Sequence, residues 1–380
     1  MNEIEYKLKL WPESLKKSLL RAAFLSGDEA LRAWEAWRVQ INMDDQPDPG
    51  SFRLLAQLYR NLQKHGIEDP LMMKFKGVTR QTWYKNQRFF RSVAPLLRAL
   101  GEVEIESMLL YGPALALQYY QDYVLNGGPT LTILVRSEQA ATAIKQLQAL
   151  GWASEARLPA ELVEPYIASG FMHFFRDALE RRVHLHWHLL PECCQAEADD
   201  DFWAGARATK IQDVTLYTLN PADQVLHICA QDSSIPEVSQ FGRAIDVMLV
   251  LNAVQAEFDW ERLVAQAQKR RLLLPLLNVL GYLQDNLDEP LPPAVWQQLK
   301  TAPISTGERL EYKFKTSRLV VWRRFLRLWF NYSRRRHESH WLRKIIGFPQ
   351  YLQHFWRLEH LWQVPLQAVS AARHRARGSG

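Results

Sequence analysis

The chain has 380 residues, of which 47% are hydrophobic and 23% are charged, and its formal net charge is +6. These values are those of an ordinary globular protein that is long enough for two or three packed units, and they exclude a low-complexity chain. The N-terminus lacks the apolar run of a secretory signal, and no stretch is apolar over the ~18 residues of a membrane span, so we expect a cytoplasmic protein.

The net charge is distributed unevenly along the chain. Residues 301–380 hold 16 basic and 4 acidic residues, whereas residues 1–300 hold 31 basic and 37 acidic residues. The basic character therefore belongs to the C-terminal part. Three cysteines are present, Cys193, Cys194 and Cys229, and the vicinal pair does not easily bridge to itself, so we expect no disulfide framework.

Residues 1–102 are predicted to form a helical unit. Apolar residues recur there at spacings of three and four, which is the period of an amphipathic helix. The clearest segments are SLKKSLLRAAFL, SFRLLAQLYRNLQKHG and QTWYKNQRFFRSVAPLLRALG. Ser51 is the predicted N-cap of the second segment, and Gly66 and Gly101 are the predicted ends of the second and third.

Residues 103–190 change to a mixed pattern of strands and helices. The segments IESMLLYG and TLTILV are short and β-prone, and each precedes a helix-like segment. FMHFFRD and RRVHLHWHLL then alternate in the manner of strands. The pattern predicts an α+β fold, in which a small mixed sheet is flanked by N-terminal and C-terminal helical units.

The remainder of the chain is predicted to be mostly helical. Residues 191–214 are interpreted as a polar loop, residues 215–310 as a helical unit and residues 311–377 as a basic helical tail rich in Trp and Arg. Residues 378–380, with the sequence Gly-Ser-Gly, are typical of an artificial linker and are left out of the predicted fold.

Several short stretches together carry a recognisable signature. In chain order they are Leu110-Tyr111-Gly112, Tyr119-Tyr120-Gln121-Asp122, Leu125-Asn126-Gly127, Thr130-Leu131-Thr132-Ile133-Leu134-Val135 and Val183-His184-Leu185-His186-Trp187. With SFRLLAQLYRNLQKHGI, LNPADQVLHIC, RAIDVMLVL and FDWERLV, the chain resembles an uncharacterised bacterial family of nucleotidyltransferases within the DNA polymerase β superfamily. The resemblance covers almost the whole chain and implies a nucleotidyltransferase-type sheet.

The resemblance also implies where a catalytic metal site would lie. In the superfamily, two carboxylates at i and i+2 of one strand, with a third on a neighbouring strand, hold one or two Mg²⁺ ions about 4 Å apart that align a nucleoside triphosphate. The matching positions here are Thr130, Thr132 and His184. Threonine is a weak neutral ligand and histidine suits Mg²⁺ poorly, so we expect a degenerate site without a cofactor.

Two basic positions of the family pattern have changed as well. Tyr111 stands where the resemblance implies a lysine, and Asn126 where it implies an arginine, both of which would contact phosphate. We expect Tyr111, Gly112, Asn126 and His186 to line the cleft. The five changes together favour a nucleotidyltransferase fold that has lost its reaction and that binds or scaffolds an unknown protein partner. The resemblance implies a bacterial setting of surface-polysaccharide or modified-peptide production.

Two other kinds of metal site remain open from the sequence. One is an active enzyme that binds Mg²⁺ and a nucleoside triphosphate through rewired ligands. The other is a Zn²⁺ site, because three histidines alternate along one predicted strand and would face the same way: His184, His186 and His188. His173 or Cys193 would complete it. The simpler alternative is that His186 packs beside Trp187 while His184 fills a vacated metal pocket.

The other polar groups are given ordinary structural interpretations. The acidic run Glu197, Asp199, Asp200 and Asp201 is interpreted as solvated loop, and Cys193 and Cys194 have no base or metal partner at a telling spacing. Asp223 and His227 lie four apart on one predicted helix and Asp246 lies on the next. We interpret these three residues as a capping and packing network, with residual ligand contact as the alternative.

The tail segment FKTSRLVVWRRFLRLWF is amphipathic. One side of the helical wheel gathers Phe314, Val321, Trp322, Phe325, Leu328 and Trp329, and the other gathers Lys313, Arg323, Arg324 and Arg327. Three interpretations stay open: an anionic membrane surface at the inner face, RNA, or packing on the protein's own core. The predicted membrane or anion contacts are Trp322, Arg323, Arg324, Arg327, Trp329, Arg334, Arg335 and Arg336.

Overall fold

The computed structural model describes residues 12–41, 48–120, 130–156, 158–231, 239–288, 290–316, 320–335 and 341–376. The chain forms two compact units, each assembled from three separate stretches. The first, called the helical unit, comprises Met1–Ser92, Tyr111–Gly128 and Pro221–Ile304. The second, called the sheet unit, comprises Val93–Leu110, Pro129–Asn220 and Ser305–Gly380.

Most of the described residues are helical. The helices are α1 (Glu13–Phe24), α2 (Gly27–Arg38), α3 (Pro49–Lys64), α4 (Pro70–Gly101), α5 (Tyr111–Gln118), α6 (Ala140–Ala149), α7 (Val163–Ser169), α8 (Asp200–Ala204), α9 (Pro221–Ala230), α10 (Gln240–Val254), α11 (Trp260–Arg270), α12 (Leu273–Asn286), α13 (Pro293–Thr301), α14 (Thr306–Thr316), α15 (Val320–Arg335), α16 (Trp341–Phe355) and α17 (Gln363–Ala376). Helices α1–α3, α5 and α9–α13 belong to the helical unit, α6–α8 and α14–α17 belong to the sheet unit, and the division falls within α4.

Helices α1 and α3 pack together through the apolar positions that the sequence predicts. The buried leucines are Leu15, Leu19 and Leu20 on α1 and Leu54, Leu55, Leu58 and Leu62 on α3. Because they recur at spacings of three and four, they form one stripe along each helix. Full burial of a leucine stabilises a fold by roughly 1.5–3 kcal/mol, so this seam is a main part of the core of the helical unit.

Helix α3 begins earlier than the sequence predicts. Its N-cap is Asp48, whose Oδ1 accepts hydrogen bonds from the backbone N–H groups of Gly50 and Ser51 at 3.1 and 3.2 Å. The prediction of Ser51 as the N-cap is therefore wrong, and its hydroxyl instead donates to Asp48 Oδ2 at 2.7 Å. The predicted end is confirmed, because Gly66 follows the helix with φ +66°, a conformation that glycine adopts without strain.

Helix α4 is longer than its apolar pattern indicates. The sequence predicts a helix from residue 81, whereas the structure has one helix of 32 residues that begins at Pro70 and ends at the predicted Gly101. Proline suits the start of a helix because its ring fixes a helical φ and the first N–H groups have no intrahelical partner. Pro95 lies inside the helix without ending it.

A seven-stranded mixed sheet organises the sheet unit. Its strands are β1 (Met108–Leu109), β2 (Thr130–Leu134), β3 (Ala153–Ser154), β4 (Met172–Arg176), β5 (Arg182–His186), β6 (Arg207–Ile211) and β7 (Val214–Thr218). The order across the sheet is β3-β4-β5-β2-β1-β7-β6, in which β2 with β5 and β1 with β7 are parallel and the other neighbours are antiparallel. The predicted α+β fold with a mixed sheet is confirmed.

The predicted loop at residues 191–214 is wrong in its second half. That segment contains helix α8 and strand β6, and the predicted helical unit at residues 215–310 begins inside strand β7. Strands β6 and β7 form a hairpin whose two connecting residues are Gln212 and Asp213. The buried side chains of Val214, Leu216 and Thr218 alternate with outward ones, as a half-buried strand requires.

The two units do not follow the consecutive domains predicted from the sequence, because each unit combines stretches that are distant in the sequence. The stretch Pro221–Ile304 packs with the N-terminal helices, and the stretch Ser305–Gly380 belongs with the sheet. Long-range pairs account for this arrangement. Arg53 of α3 pairs with Asp246 of α10, and Arg335 of α15 donates to the backbone of Gly170 beside α7.

Candidate functional site

Strands β2 and β5 lie side by side and place the predicted site positions together. In their parallel register Thr132 is opposite His184, and Thr130 is opposite Arg182. Residues paired across neighbouring strands share a face of the sheet, and so do residues two apart on one strand. Thr130, Thr132 and His184 therefore share one face, which is the arrangement that the family resemblance implies for its three carboxylates.

Part of this face is buried among aromatic rings, whereas Thr130 and His184 are half-buried and Arg182 is exposed. Thr132 and His186 are only 5% and 3% exposed, and the ring of His184 meets the ring of Phe174 edge-to-face with centroids 4.6 Å apart. The ring of His186 meets Phe171 in the same way at 5.9 Å. Burial, with a smaller contribution from Arg182, lowers the pKa of His184 to about 4, so its imidazole is neutral at neutral pH.

Arg182 is a residue that the sequence reasoning missed. It sits opposite Thr130 on the same face of the sheet, and its Nε lies 3.7 Å from Glu155 Oε1. Its signal in the sequence is its position two residues before His184, since residues two apart on a strand share a face. The site thus carries a cation beside the positions where the superfamily carries its metal-binding carboxylates.

The alternative zinc site does not form. His184 and His186 do share a face, but His188 lies beyond the strand and its Nδ1 is 2.7 Å from Asp199 Oδ2. His173 is paired with Leu185 and therefore points to the opposite face of the sheet. Cys193 Sγ instead lies 3.5 Å from Arg334 Nη1. Within the described ranges, no three His, Cys, Asp or Glu side chains come close enough to hold a metal ion.

Asp199 also corrects the interpretation of the acidic run as solvated loop. Its side chain is buried, and its second carboxylate oxygen accepts a hydrogen bond from the backbone N–H of Leu189 at 3.0 Å. Asp200 and Asp201 lie in the first turn of α8, where a negative charge complements the helix dipole. Asp199 is thus a structural residue, whereas Glu197 and Asp200 are exposed as the solvated-loop interpretation predicts.

All three cysteines are buried, and burial makes two of them, Cys194 and Cys229, poorly suited to nucleophilic chemistry. Burial raises the pKa of the Cys194 thiol to about 12. Its Sγ lies 3.4 Å from the carbonyl oxygen of Leu190, to which the thiol donates. Burial raises the pKa of Cys229 to about 12 as well. Since the thiolate is the reactive form, burial disfavours nucleophilic chemistry at Cys194 and Cys229 at neutral pH.

Two other predicted cleft residues, Tyr111 and Gly112, belong to the helical unit. Tyr111 is the first residue of α5, has φ +57°, and its ring centroid is 4.6 Å from that of His227. Gly112 follows it in α5 and is half-buried, while Asn126 lies outside the described residues. Burial lowers the pKa of His227 to about 4, and neither of its ring nitrogens has a hydrogen-bond partner.

The predicted packing network around α9 and α10 contains one buried ion pair and one half-buried ion pair. Arg262 of α11 donates to Asp223 in a bidentate arrangement, with Nη2 2.7 Å from Oδ2 and Nε 3.1 Å from Oδ1. Arg53 of α3 donates through Nη1 to both oxygens of Asp246 at 3.0 and 3.1 Å. Each carboxylate is therefore matched by a guanidinium from a different helix, and His227 contributes by ring packing.

The apolar side of the basic tail packs within the sheet unit. A cluster of buried residues joins α15, α16 and α17, namely Leu328, Tyr332, Tyr351, Leu352 and Val364. The predicted apolar residues Phe325 and Trp329 pack against this cluster, and the rings of Phe314 and Phe330 lie 6.0 Å apart. None of the helices in the described ranges is both long and apolar enough to span a bilayer.

Several cations of the tail are likewise engaged inside the sheet unit. Arg334 Nε donates to Glu311 Oε1 at 3.1 Å, and Arg335 Nη2 donates to the carbonyl oxygen of Gly170 at 2.7 Å. Burial tends to raise the pKa of Glu192, but Lys315, 3.0 Å away, and Arg327 outweigh it and hold that pKa below its usual value.

Three of the predicted membrane or anion contacts, Trp329, Arg334 and Arg335, thus have partners within the sheet unit, and their contact with a membrane or anion stays a prediction. All three side chains are half-buried and have partners in their own unit. Arg327 is half-buried too. The helical backbone at Trp322, Arg323 and Arg324 belongs to α15, and Arg336 lies outside the described residues.

The mixed sheet, the β2–β5 register and the helices that surround it define a nucleotidyltransferase-type α+β protein. A family model described as uncharacterised nucleotidyltransferase matches residues 51–288, which is more than half of the chain. The chain therefore belongs to this family of uncharacterised nucleotidyltransferases, as the resemblance indicates. The basic tail lies beyond the matched residues. None of the curated proteins matches the chain.

Proposed function

We propose that this member of the nucleotidyltransferase family does not transfer nucleotides through bound metal, and that it acts as a binding or scaffolding component for a protein partner. The observation that carries the proposal is the set of side chains on one face of β2 and β5: Thr130, Thr132, Arg182 and His184. A setting in bacterial surface-polysaccharide or modified-peptide production, on the cytoplasmic side, is part of this proposal.

The four side chains do not fit Mg²⁺, which prefers hard, charged oxygen ligands in octahedral geometry. Two neutral hydroxyls offer weak ligands, and the His184 imidazole is packed against Phe174. Arg182 opposite Thr130 adds a positive charge that opposes a second cation. The donor set thus supports a loss of metal-dependent chemistry, and no catalytic step through Mg²⁺ follows from these residues.

Calorimetric titration of the full chain with ATP and other nucleoside triphosphates tests the proposal. We expect no saturable heat in the presence of millimolar Mg²⁺ and none in EDTA, because Mg²⁺, which would join the triphosphate to the protein, finds no carboxylate among the four side chains on this face of β2 and β5. Radiolabelled triphosphate incubated with the protein and cellular extract gives a second readout. Saturable, Mg²⁺-dependent binding accompanied by transfer of a nucleoside monophosphate would establish the active enzyme with rewired ligands instead.

A second candidate function is contact of the tail with an anionic membrane, at the inner face of the cytoplasmic membrane. It is favoured by exposed apolar side chains on and between α16 and α17, rather than by α15: Ile345, Ile346, Leu361, Trp362, Leu366 and Val369. Ile346 and Trp362 are 77% and 65% exposed, and Arg343, three residues before Ile346 on α16, is exposed as well. Exposed aliphatic and Trp side chains next to basic ones suit the headgroup region of a bilayer.

Sedimentation with phosphatidylserine-containing vesicles tests this second function. We expect Ile346→Glu/Trp362→Glu to weaken vesicle binding by about tenfold or more, since each buried apolar side chain contributes roughly 1.5–3 kcal/mol. The matched control is Val39→Glu/Leu179→Glu, which alters two exposed apolar residues, 78% and 74% exposed, outside the tail. Equal losses in both variants, or no binding by the unaltered protein at low salt, would rule out the tail as a membrane surface.

A further inference from the structure

Helix α4 is strongly basic although it lies in the acidic part of the chain. Residues 1–300 carry 31 basic and 37 acidic residues, yet α4 contains seven basic residues and no acidic one. The seven are Lys74, Lys76, Arg80, Lys85, Arg88, Arg91 and Arg98. A helix with this composition cannot offset its charge by pairing along its own length. Arg98 pairs with Asp213, 2.6 Å away, and the positive electrostatic potential of the other six cations is available to a partner outside the helix.

The helix separates its apolar and basic residues onto different faces. Phe75, Phe89 and Phe90 are buried. The outward face, called the α4 basic face, consists of exposed residues only: Met73, Lys74, Lys76, Arg80, Trp83, Tyr84, Lys85, Arg88 and Arg91. Among the residues that the structure describes, no ion pair is found to any of its six cations.

An aromatic ring lies at the centre of this cationic face. Tyr84 is 59% exposed and follows Arg80 by four residues, and it precedes Arg88 by four, so the three side chains stand in one row along the helix. Trp83, 46% exposed, lies beside Tyr84 in the sequence. From Lys76 to Arg91 the row extends about 22 Å at 1.5 Å per residue. It is long enough to contact several consecutive phosphates of one strand.

We propose that the α4 basic face binds single-stranded nucleic acid. Cations along a row match the phosphates of the backbone, and the exposed rings of Tyr84 and Trp83 offer stacking surfaces for bases, which is the combination that single-strand binding uses. An interfacial membrane helix instead needs a broad aliphatic face, and Met73 is the one exposed aliphatic side chain on this face. This inference does not depend on the loss of catalysis proposed above.

Fluorescence anisotropy with labelled oligouridine RNA and oligothymidine DNA tests the proposal on the full chain. We expect Arg80→Glu/Arg88→Glu to weaken binding at least tenfold and to reduce the slope of log affinity against log salt by about 0.7 for each phosphate that is no longer neutralised. Tyr84→Ala should weaken binding by about tenfold because a base no longer stacks on the ring, and Tyr84→Phe should restore it. The RNA and DNA arms show which strand is preferred.

The matched control is Arg32→Glu/Arg207→Glu, which makes the same change in net charge at two exposed arginines outside α4. We expect this control to retain most of its affinity, and both double variants to keep the circular dichroism spectrum of the unaltered protein. Arg80→Gln/Arg88→Gln gives the same comparison without charge reversal. No binding by the unaltered protein, equal losses in the α4 and control variants, or α4-dependent binding to anionic vesicles without binding to either oligonucleotide would overturn the proposal.

Discussion

Asp246→Ala is expected to lower the free energy of unfolding by about 3–5 kcal/mol, because it leaves a buried guanidinium without its carboxylate. Arg53 and Asp246 are 7% and 6% exposed, and the two oxygens of Asp246 accept from Arg53 Nη1 at 3.0 and 3.1 Å. The pair joins α3 to α10 inside the helical unit. Urea unfolding followed by circular dichroism measures the loss as a lower midpoint.

Two further variants serve as controls for this prediction. Removing both charges in Arg53→Met/Asp246→Leu should recover most of the lost stability, since a buried ion pair often contributes little more than apolar residues of similar volume. Asp288→Ala removes the carboxylate of an exposed pair, in which Arg21 Nη2 lies 2.7 Å from Asp288 Oδ2, and should leave the midpoint nearly unchanged. The assignment fails if Asp246→Ala and Asp288→Ala have the same effect.

The sequence does not predict this ion pair, because the pair depends on residues that are distant in the sequence, among them Gly242, which lies close to Arg53. A Cβ added at Gly242 would lie 2.7 Å from Arg53 Nη2, so the glycine makes room for a guanidinium that is distant in the sequence. Helical periodicity predicts that Asp246 lies on a helix near apolar residues. It does not predict which cation from another helix will reach it, because that depends on how α3 and α10 pack.

The local fold was predictable where one pattern dominates. The leucines of α1 and α3 keep a helical period, and Thr130–Leu134 and Arg182–His186 keep a strand period, so these elements are found where the sequence predicts them. The hairpin of β6 and β7 was missed because its turn contains Gln212 in a left-handed conformation, φ 56°. That conformation usually requires Gly, Asn or Asp, so the turn gives no signal.

Strand periodicity predicts the candidate site only in part. Strand periodicity places Thr130 with Thr132, and Arg182 with His184, on common faces, but periodicity cannot say that β2 and β5 are neighbours. The family resemblance supplied that adjacency, and the parallel register between the two strands agrees with it. The packing of the tail could not be predicted in this way, because amphipathicity predicts the apolar side of a helix but not what that side packs against. Leu328 and Tyr332 of α15 are buried in a cluster with residues of α16 and α17.

Thr130→Asp/Thr132→Asp/His184→Asp is expected to create a Mg²⁺ site. In the absence of Mg²⁺, we expect this variant to be less stable than the unaltered protein. The β2–β5 register brings the three positions to one face, and Thr132 is 5% exposed, so three carboxylates there would repel one another in a poorly solvated place. We expect the variant in EDTA to lose on the order of 3–5 kcal/mol, by analogy with uncompensated buried charges. Urea unfolding against the unaltered protein measures this loss.

Mg²⁺ should reverse much of that loss, because an ion that binds only the folded state stabilises it by about 2.7 kcal/mol at one hundred times its dissociation constant. The matched control Thr130→Asn/Thr132→Asn/His184→Asn keeps the side-chain size without charge and should not respond to Mg²⁺. Adding Arg182→Gln to the aspartate variant should strengthen the response, since the cation opposite Thr130 opposes the metal. An aspartate variant that folds but responds to Mg²⁺ no more than the asparagine control would contradict the assignment of these strands as the vacated metal site.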